Sequence, residues 1–234
     1  MPTAKINGIN IYYESHGAGF PLVFVYCIGG NTTQWEPQIP AFSKSYRFIV
    51  WDPRGHANSE SPPNVEQYRQ EHFAQDLEGL LDHLGIQQAY VGGLSMGGGI
   101  ATRFTILHPE RVAALLIFDS FSASGLETPP EAYRIREEII RLAETEGMAA
   151  VAEYCIKNNP NVSQTAALGK EQENRVRQMY LSLDPAGLAQ STRMISNAVL
   201  DASLLEGITV PTLVLAGQQD GALPACRFIH EKIN

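Results

Sequence analysis

Residues 88–101 read QAYVGGLSMGGGIA, and this stretch decides the fold. A strand pattern is followed at once by a helix pattern, which places Ser95 on the sharp turn between them. A residue on such a turn has strained backbone angles, and the residues two before and two after it must be very small. Gly93 and Gly97 satisfy that condition. The turn would raise the Ser95 hydroxyl above the sheet and aim the Met96 N–H at any oxyanion that forms there.

The residues around this segment alternate between strand and helix patterns. Strands are predicted at about 3–6, 9–15, 21–26, 46–52, 88–94 and 112–118, and helices at 65–84 and 96–108. Such alternation is typical of a mostly parallel sheet with helices on both faces. The sequence therefore predicts the α/β class with a doubly wound sheet.

The alternation stops after residue 120, and helix patterns then continue to about residue 207. A crossover between parallel strands needs only about a dozen residues, so most of this stretch is an insertion. We interpret 121–207 as a helical lid, with 1–120 and 208–234 forming the core, and the next buried strand at 210–216. The apolar stripes of the lid run through Tyr133, Ile135, Ile139, Ile140 and Leu142, then Val176, Met179, Tyr180 and Leu183, then Leu188, Met194, Ile195 and Val199.

Composition excludes several classes of function. With 44% hydrophobic and 18% charged residues the chain is not disordered, and its net charge of −8 argues against nucleic acid and anionic membranes as partners. There is no signal-peptide pattern and no apolar run of about 18 residues, so we expect a soluble, cytoplasmic protein. Phosphate-binding, dinucleotide-binding and metal-binding motifs are all missing, so we expect no cofactor and no metal.

Three motifs together resemble the α/β-hydrolase fold family, and the resemblance spans essentially the whole chain. They are GLSMG at 93–97, DPRGHANS at 52–59, which is similar to the family turn D-x-R-G-x-G-x-S, and PTLVLAGQQD at 211–220. The lid falls where the family has its cap. In the family the chain order is nucleophile, acid, histidine, which implies Ser95 as nucleophile and Asp220 as acid.

Two aspartates compete for the role of acid. Asp220 follows a strand whose carboxyl end shares a sheet edge with Ser95, although an Asp before Gly221 is also typical of a simple turn. Asp119, at the end of the predicted strand 112–118, is the alternative at the same edge.

The loop after the third strand departs from the family pattern. The resemblance implies that the Ile28 N–H is the second oxyanion donor. Relatives usually begin this loop with His-Gly, where this chain has Tyr26 and Cys27, and Ala57 replaces the second glycine of the 52–59 turn. We interpret Cys27 as a small buried side chain rather than a nucleophile.

No histidine of the sequence is a convincing general base. The six are His16, His56, His72, His83, His108 and His230. A further helix and strand would need about 20 residues, whereas only 14 follow Asp220. We expect a C-terminally truncated member of the family, with the edge of its last strand and some apolar surface exposed.

The predicted function is that of a serine hydrolase. It would cleave a small-molecule carboxylic ester, thioester or lactone through an acyl-enzyme on Ser95. A serine at the turn, rather than an aspartate, argues against epoxide-opening and dehalogenating chemistry. The alternative is a catalytically impaired binding module that lacks a histidine. Lyase or perhydrolase chemistry on the same scaffold is not separated by the sequence, which also sets no oligomeric state.

Overall fold

The computed structural model describes residues 2–197 and 200–233 of the chain, so Val199 of the third lid stripe and both terminal residues lie outside it. Within the described residues, seven strands form one sheet. They are β1 Thr3–Ile6, β2 Ile9–His16, β3 Phe20–Val25, β4 Tyr46–Trp51, β5 Ala89–Leu94, β6 Val112–Phe118 and β7 Thr212–Leu215.

The sheet has the order β1-β2-β4-β3-β5-β6-β7. The first hairpin is antiparallel and β2 runs antiparallel to β4, while all later pairs are parallel. The predicted mostly parallel α/β sheet is confirmed. Its register pairs Val25 with Gly93 and Leu94 with Phe118, so the carboxyl ends of the central strands meet at one edge.

Helices cover the two faces unequally. The helices α2 Gln70–His83, α3 Met96–Leu107 and α9 Leu223–Lys232 pack on one face, and the short α1 Ile39–Phe42 packs on the other. The predicted helix at 65–84 is too long, because α2 begins only at Gln70. Residues 65–67 form a separate 3-10 turn whose start is capped by the Asn64 side chain, and Tyr68 is buried against Gly55 instead of continuing a helix.

In the described residues between β6 and β7 there are five α-helices: α4 Pro130–Thr145, α5 Met148–Asn158, α6 Pro160–Ala166, α7 Lys170–Leu181 and α8 Pro185–Asn197. They enclose an apolar cluster of their own, whose buried members include Val151, Cys155 and Leu188. We call these five helices the helical segment. None of the helices in the described part of the chain has both the length and the apolar character needed to cross a bilayer.

The interpretation of 210–216 as a buried strand is wrong in one respect. The strand β7 has only four residues, and Leu213 and Leu215 are 51% and 54% exposed. Its apolar run does not mean that both faces are covered, because β7 is the last strand of the sheet and pairs with β6 alone. The apolar surface that the sequence predicts beside this strand is therefore present.

Candidate active site

The turn at Ser95 has the strained geometry that the glycines predict. Ser95 has φ 54° and ψ −112°, outside the regions that side-chain-bearing residues ordinarily occupy. A methyl group on Gly93 would overlap the backbone of Gly97, and one on Gly97 would overlap the carbonyl of Val25. The Ser95 N–H donates to the Phe118 carbonyl at 2.9 Å. The strained conformation is thus held by close packing on both sides of the turn.

The hydroxyl of Ser95 has no hydrogen-bond partner among the described residues, and its side chain is half-buried. Met96 is the first residue of α3, so its N–H has no acceptor within the helix. No other acceptor for that N–H exists in the described ranges, and the same holds for the Ile28 N–H. Two unpaired backbone donors therefore flank the turn that carries the free hydroxyl.

The loop that carries Ile28 is anchored by Tyr26. The Tyr26 side chain is fully buried, and its hydroxyl donates to Asp52 Oδ1 at 2.8 Å. Burial and the Asp52 charge raise the pKa of Tyr26 well above its ordinary value. The backbone bends at Gly29, with φ +76°, and not at Cys27. The two departures from the family pattern thus have a structural explanation, since Tyr26 forms a buried bond and Gly29 supplies the bend.

Asp52 connects this loop to the turn after β4. Besides the Tyr26 hydroxyl it accepts hydrogen bonds from the Thr32 N–H at 3.1 Å and from the Asn58 N–H and side-chain amide, each at 3.0 Å. The preceding residue, Ala57, has φ +43°, where a glycine would be unstrained. The turn is therefore kept in place by side-chain bonds at some cost in backbone strain.

The Cys27 thiol lies beside Gln34, whose amide Nε2 donates to it at 3.2 Å. Burial raises the pKa of Cys27. An activated cysteine nucleophile needs the opposite shift, toward thiolate. The Cys27 side chain is only half-buried, so the prediction of a buried cysteine is met in part, and the raised pKa agrees with a packing residue rather than a nucleophile.

Both candidate acids lie together at the carboxyl ends of β6 and β7. Asp119 has φ +40°, and its Oδ1 accepts from the Gly217 N–H at 2.8 Å. Burial and, to a lesser extent, the charge of Asp220 raise the pKa of Asp119, against the lowering effect of that hydrogen bond. Asp220 Oδ1 accepts from the Ala222 N–H at 2.7 Å, a local turn bond that agrees with the simpler interpretation of this residue. The structure brings the two carboxylates together without choosing between them.

No histidine in the described ranges forms a hydrogen bond with Ser95. The His56 ring is buried, shares a hydrogen bond with the Arg54 carbonyl at 3.1 Å, and has its pKa lowered by burial to about 4. His230 is exposed on α9. The other four have partners or positions of their own: His16 lies by Glu14, His83 by Tyr13 and His108 by Glu78, while His72 is on α2.

Sequence reasoning missed two groups of contacts around the site. Ser120 and Ser122, in the loop after β6, donate their hydroxyl hydrogen bonds to the Ser95 carbonyl. The Tyr180 ring of α7 lies so close to Gly29 that a methyl group there would be 3.0 Å from it. The one signal in the sequence for the first group is the glycine run at 97–99, which is longer than the turn requires.

The site thus combines a strained serine at the carboxyl edge of a parallel sheet with two backbone N–H groups that have no acceptor among the described residues. The family model described as the α/β hydrolase fold matches residues 21–145. The chain belongs to the α/β hydrolase fold family, as the sequence predicts.

Individual relatives agree with this assignment. The chain is 30% identical over 209 residues to "3-oxoadipate enol-lactonase 2" of Acinetobacter baylyi, covering 85% of this chain and 71% of that protein. The structure of a thermophilic esterase from Thermogutta terrifontis matches with a TM-score of 0.86 and 30% identity, over 100% of this chain and 87% of the esterase. The enol-lactonase from Burkholderia xenovorans LB400 matches with a TM-score of 0.83 and 27% identity, over 99% and 88%.

These relatives support the enzyme class predicted from the sequence, that of the carboxylic ester hydrolases. Other relatives have names that denote different reactions, among them an epoxide hydrolase of Siraitia grosvenorii and a bromoperoxidase from Bacillus anthracis. Family membership therefore leaves the substrate open.

Proposed function

We propose that the chain cleaves a small-molecule carboxylic ester, thioester or lactone through an acyl-enzyme on Ser95. The single observation that carries this proposal is the free Ser95 hydroxyl on a strained turn, flanked by the unpaired N–H groups of Ile28 and Met96. Strain of this kind costs about 1–3 kcal/mol and persists where the surrounding structure enforces it, commonly at functional sites.

In the proposed reaction, the Ser95 oxygen forms a bond to the acyl carbon while the carbonyl oxygen becomes an oxyanion. The Ile28 and Met96 N–H groups hold that oxyanion, a contribution of about 2.7–4 kcal/mol per donor in comparable sites. The bond to the leaving oxygen or sulfur then breaks and that atom takes up the serine proton; an alcohol or thiol departs, whereas the new hydroxyl of a lactone stays on the acyl chain. In the second half of the reaction water adds to the acyl carbon, the bond to the Ser95 oxygen breaks, a proton returns to that oxygen and the carboxylic acid is released.

Asp220 is the acid that we assign to this site, with Asp119 as the alternative. A carboxylate at this edge would orient the imidazole of a base and stabilise its charged form. With free imidazole supplying the base, the variants Asp220→Asn and Asp119→Asn separate the two, because the acid that orients the imidazole should give the larger loss of turnover.

The helical segment, within the proposed lid at 121–207, fits an apolar substrate. Its apolar cluster packs against Ile28, so the segment lies directly over the proposed oxyanion loop. Closing an apolar cover over an acyl group excludes water and strengthens the hydrogen bonds to the oxyanion. A cytoplasmic location belongs to the same proposal and rests on the sequence alone.

The test is labelling of the chain by a fluorophosphonate probe, compared with Ser95→Ala. We expect labelling at Ser95 that the variant loses entirely, together with turnover of short-chain p-nitrophenyl esters. Labelling that persists in Ser95→Ala would contradict the assignment of the nucleophile.

A second candidate function is a binding module that retains the fold without turnover. The observation that favours it is that no described histidine contacts Ser95. Free imidazole in the assay distinguishes the two candidates, because it supplies the base that the described residues do not. An increase in turnover that exceeds the Ser95→Ala blank supports a hydrolase site, whereas saturable ester binding with no such increase supports the binding module.

A further inference from the structure

The backbone carbonyl of Ser95 has an unusual set of partners. It accepts the Ser120 hydroxyl at 2.6 Å, the Ser122 hydroxyl at 3.1 Å and the Gly99 N–H at 3.2 Å. The Gly99 bond is an ordinary bond of the first helical turn. Three donors therefore share the two lone pairs of this carbonyl oxygen, so it is held from several directions at once.

The fold makes room for these two hydroxyls at Gly98 and Gly99. A methyl group on Gly98 would lie 2.6 Å from the Ser120 Cβ, and one on Gly99 would lie 2.6 Å from the Ser122 Oγ. The turn itself requires only Gly93 and Gly97. The two further glycines thus have a separate role, which is to admit the serines.

The Ser95 carbonyl and the Met96 N–H belong to the same peptide unit. That unit is planar, so its C=O and N–H groups point in fixed, opposite directions. Holding the carbonyl oxygen in place therefore also fixes the direction of the Met96 N–H. Hydrogen bonds to a carbonyl further polarise its amide and strengthen the bond that the N–H donates.

We propose that Ser120 and Ser122 are positioning residues that aim and polarise the Met96 N–H through the shared peptide plane. The inference deepens the proposed function, since it rests on Met96 as an oxyanion donor. Neither serine contacts the substrate in this scheme. Both hold the peptide unit whose other end does.

The loop also supplies a matched control. Ser124 is buried, and its hydroxyl donates to the Phe121 carbonyl at 2.7 Å. It resembles Ser120 in burial and in bonding to a backbone carbonyl, yet it has no bond to Ser95. A loss that reflects only a damaged loop would therefore affect Ser124→Ala as much as Ser120→Ala.

The first readout is the steady-state kinetics of p-nitrophenyl butyrate hydrolysis, with Ser95→Ala as blank. Removing an oxyanion donor outright costs about 100-fold or more in kcat, so a misdirected donor should cost about tenfold. We expect that loss of kcat for Ser120→Ala and for Ser122→Ala, and a larger one for the double variant, with little change in KM. Ser122→Thr keeps the hydroxyl and should keep kcat, and Ser124→Ala should match the parent chain.

The second readout is independent of turnover. In NMR spectra of the isotopically labelled chain, loss of both hydroxyls should shift the resonances of the Ser95 carbonyl carbon and the Met96 amide proton upfield. Ser124→Ala should leave both resonances unchanged. If the parent chain shows no Ser95-dependent turnover even with free imidazole, the proposed function fails and these two resonances alone decide the inference. Unchanged resonances in the double variant, or equal losses of kcat in Ser124→Ala, would overturn it.

Discussion

The carboxyl ends of the central strands β3, β4 and β5 differ sharply from those of the outer strands β6 and β7. At the centre, side-chain hydrogen bonds hold the turns, as in the bond from Tyr26 to Asp52 and those that Ser120 and Ser122, in the loop after β6, donate to the Ser95 carbonyl. At the outer end, Asp119 and Asp220 accept backbone N–H bonds beside the exposed Gly217. A positive φ occurs at both ends, but the support differs: tightly packed glycines enclose Ser95, whereas Asp119 is held by bonds to the backbone of β7 and the loop after it. A positive φ at a residue with a side chain persists only under several simultaneous constraints.

The most severe effect is expected at the centre, from Gly97→Ala, because this change should reduce both the stability of the fold and the reactivity of Ser95. The added methyl group would overlap the Val25 carbonyl, and neither backbone can move without disturbing the sheet. We expect a loss of about 3 kcal/mol in the free energy of unfolding, measured by urea denaturation, together with loss of probe labelling at Ser95. Gly207→Ala is the control, because open space surrounds that glycine and the change should stay within about 0.5 kcal/mol. Equal stabilities of the two variants would refute the packing argument.

The second test compares apolar side chains on adjacent strands. Leu115 of β6 is fully buried, whereas Leu215 of β7 is 54% exposed. Leu115→Ala should cost about 2–5 kcal/mol in thermal or urea unfolding, because it leaves a cavity in the core. Leu215→Ala should cost less than about 1 kcal/mol. A large cost at Leu215 would mean that another surface covers the outer end in solution.

A third test uses pH and the buried His56. Burial lowers the pKa of folded His56 to about 4, while the unfolded chain has the ordinary value of about 6.5. Between pH 4 and pH 6.5 the unfolded chain binds a proton at this histidine and the folded chain does not. The contribution of His56 to the free energy of unfolding is therefore complete above pH 6.5 and is lost as the pH falls toward 4. The full loss in the free energy of unfolding is about 3 kcal/mol, because a pKa difference of one corresponds to about 1.4 kcal/mol.

His56→Asn should flatten that part of the stability curve, measured by urea denaturation from pH 4 to 7. Leu215→Ala changes no titratable group and should keep the slope of the parent chain. An unchanged slope in His56→Asn would show that a different group controls the loss of stability at acid pH.

The smallest effect is expected at the outer end, from Asp119→Asn. Burial raises the pKa of folded Asp119, so ionisation is less favourable in the folded chain than in the unfolded one. The contribution of Asp119 to the free energy of unfolding therefore falls as the pH rises through the ordinary pKa range of aspartate. Above that range Asp119→Asn should be slightly more stable than the parent chain. The effect should be smaller than that of His56, because water reaches the half-exposed carboxylate. A loss of stability in Asp119→Asn at neutral pH would contradict this sign.

Much of the fold could be predicted because its signals are local. The strand-to-helix turn at Ser95, the alternation before residue 120 and the helices after it all follow from periodicity and from small residues at fixed spacing. The start of α2 and the exposure of β7 were predicted wrongly, since each depends on a distant neighbour: Tyr68 on Gly55, and β7 on its single partner β6.

The sequence by itself determined the stereochemistry of the turn, because steric limits between Gly93, Ser95 and Gly97 act within one strand and one helical turn. Tertiary structure decided what holds that turn and its surroundings: the serines that donate to the Ser95 carbonyl, the tyrosine that replaces a family histidine, and the proximity of the two aspartates. These pairs of residues lie between 25 and 101 positions apart in the sequence. No local pattern encodes such pairs, because the strand order and register of the sheet bring them together.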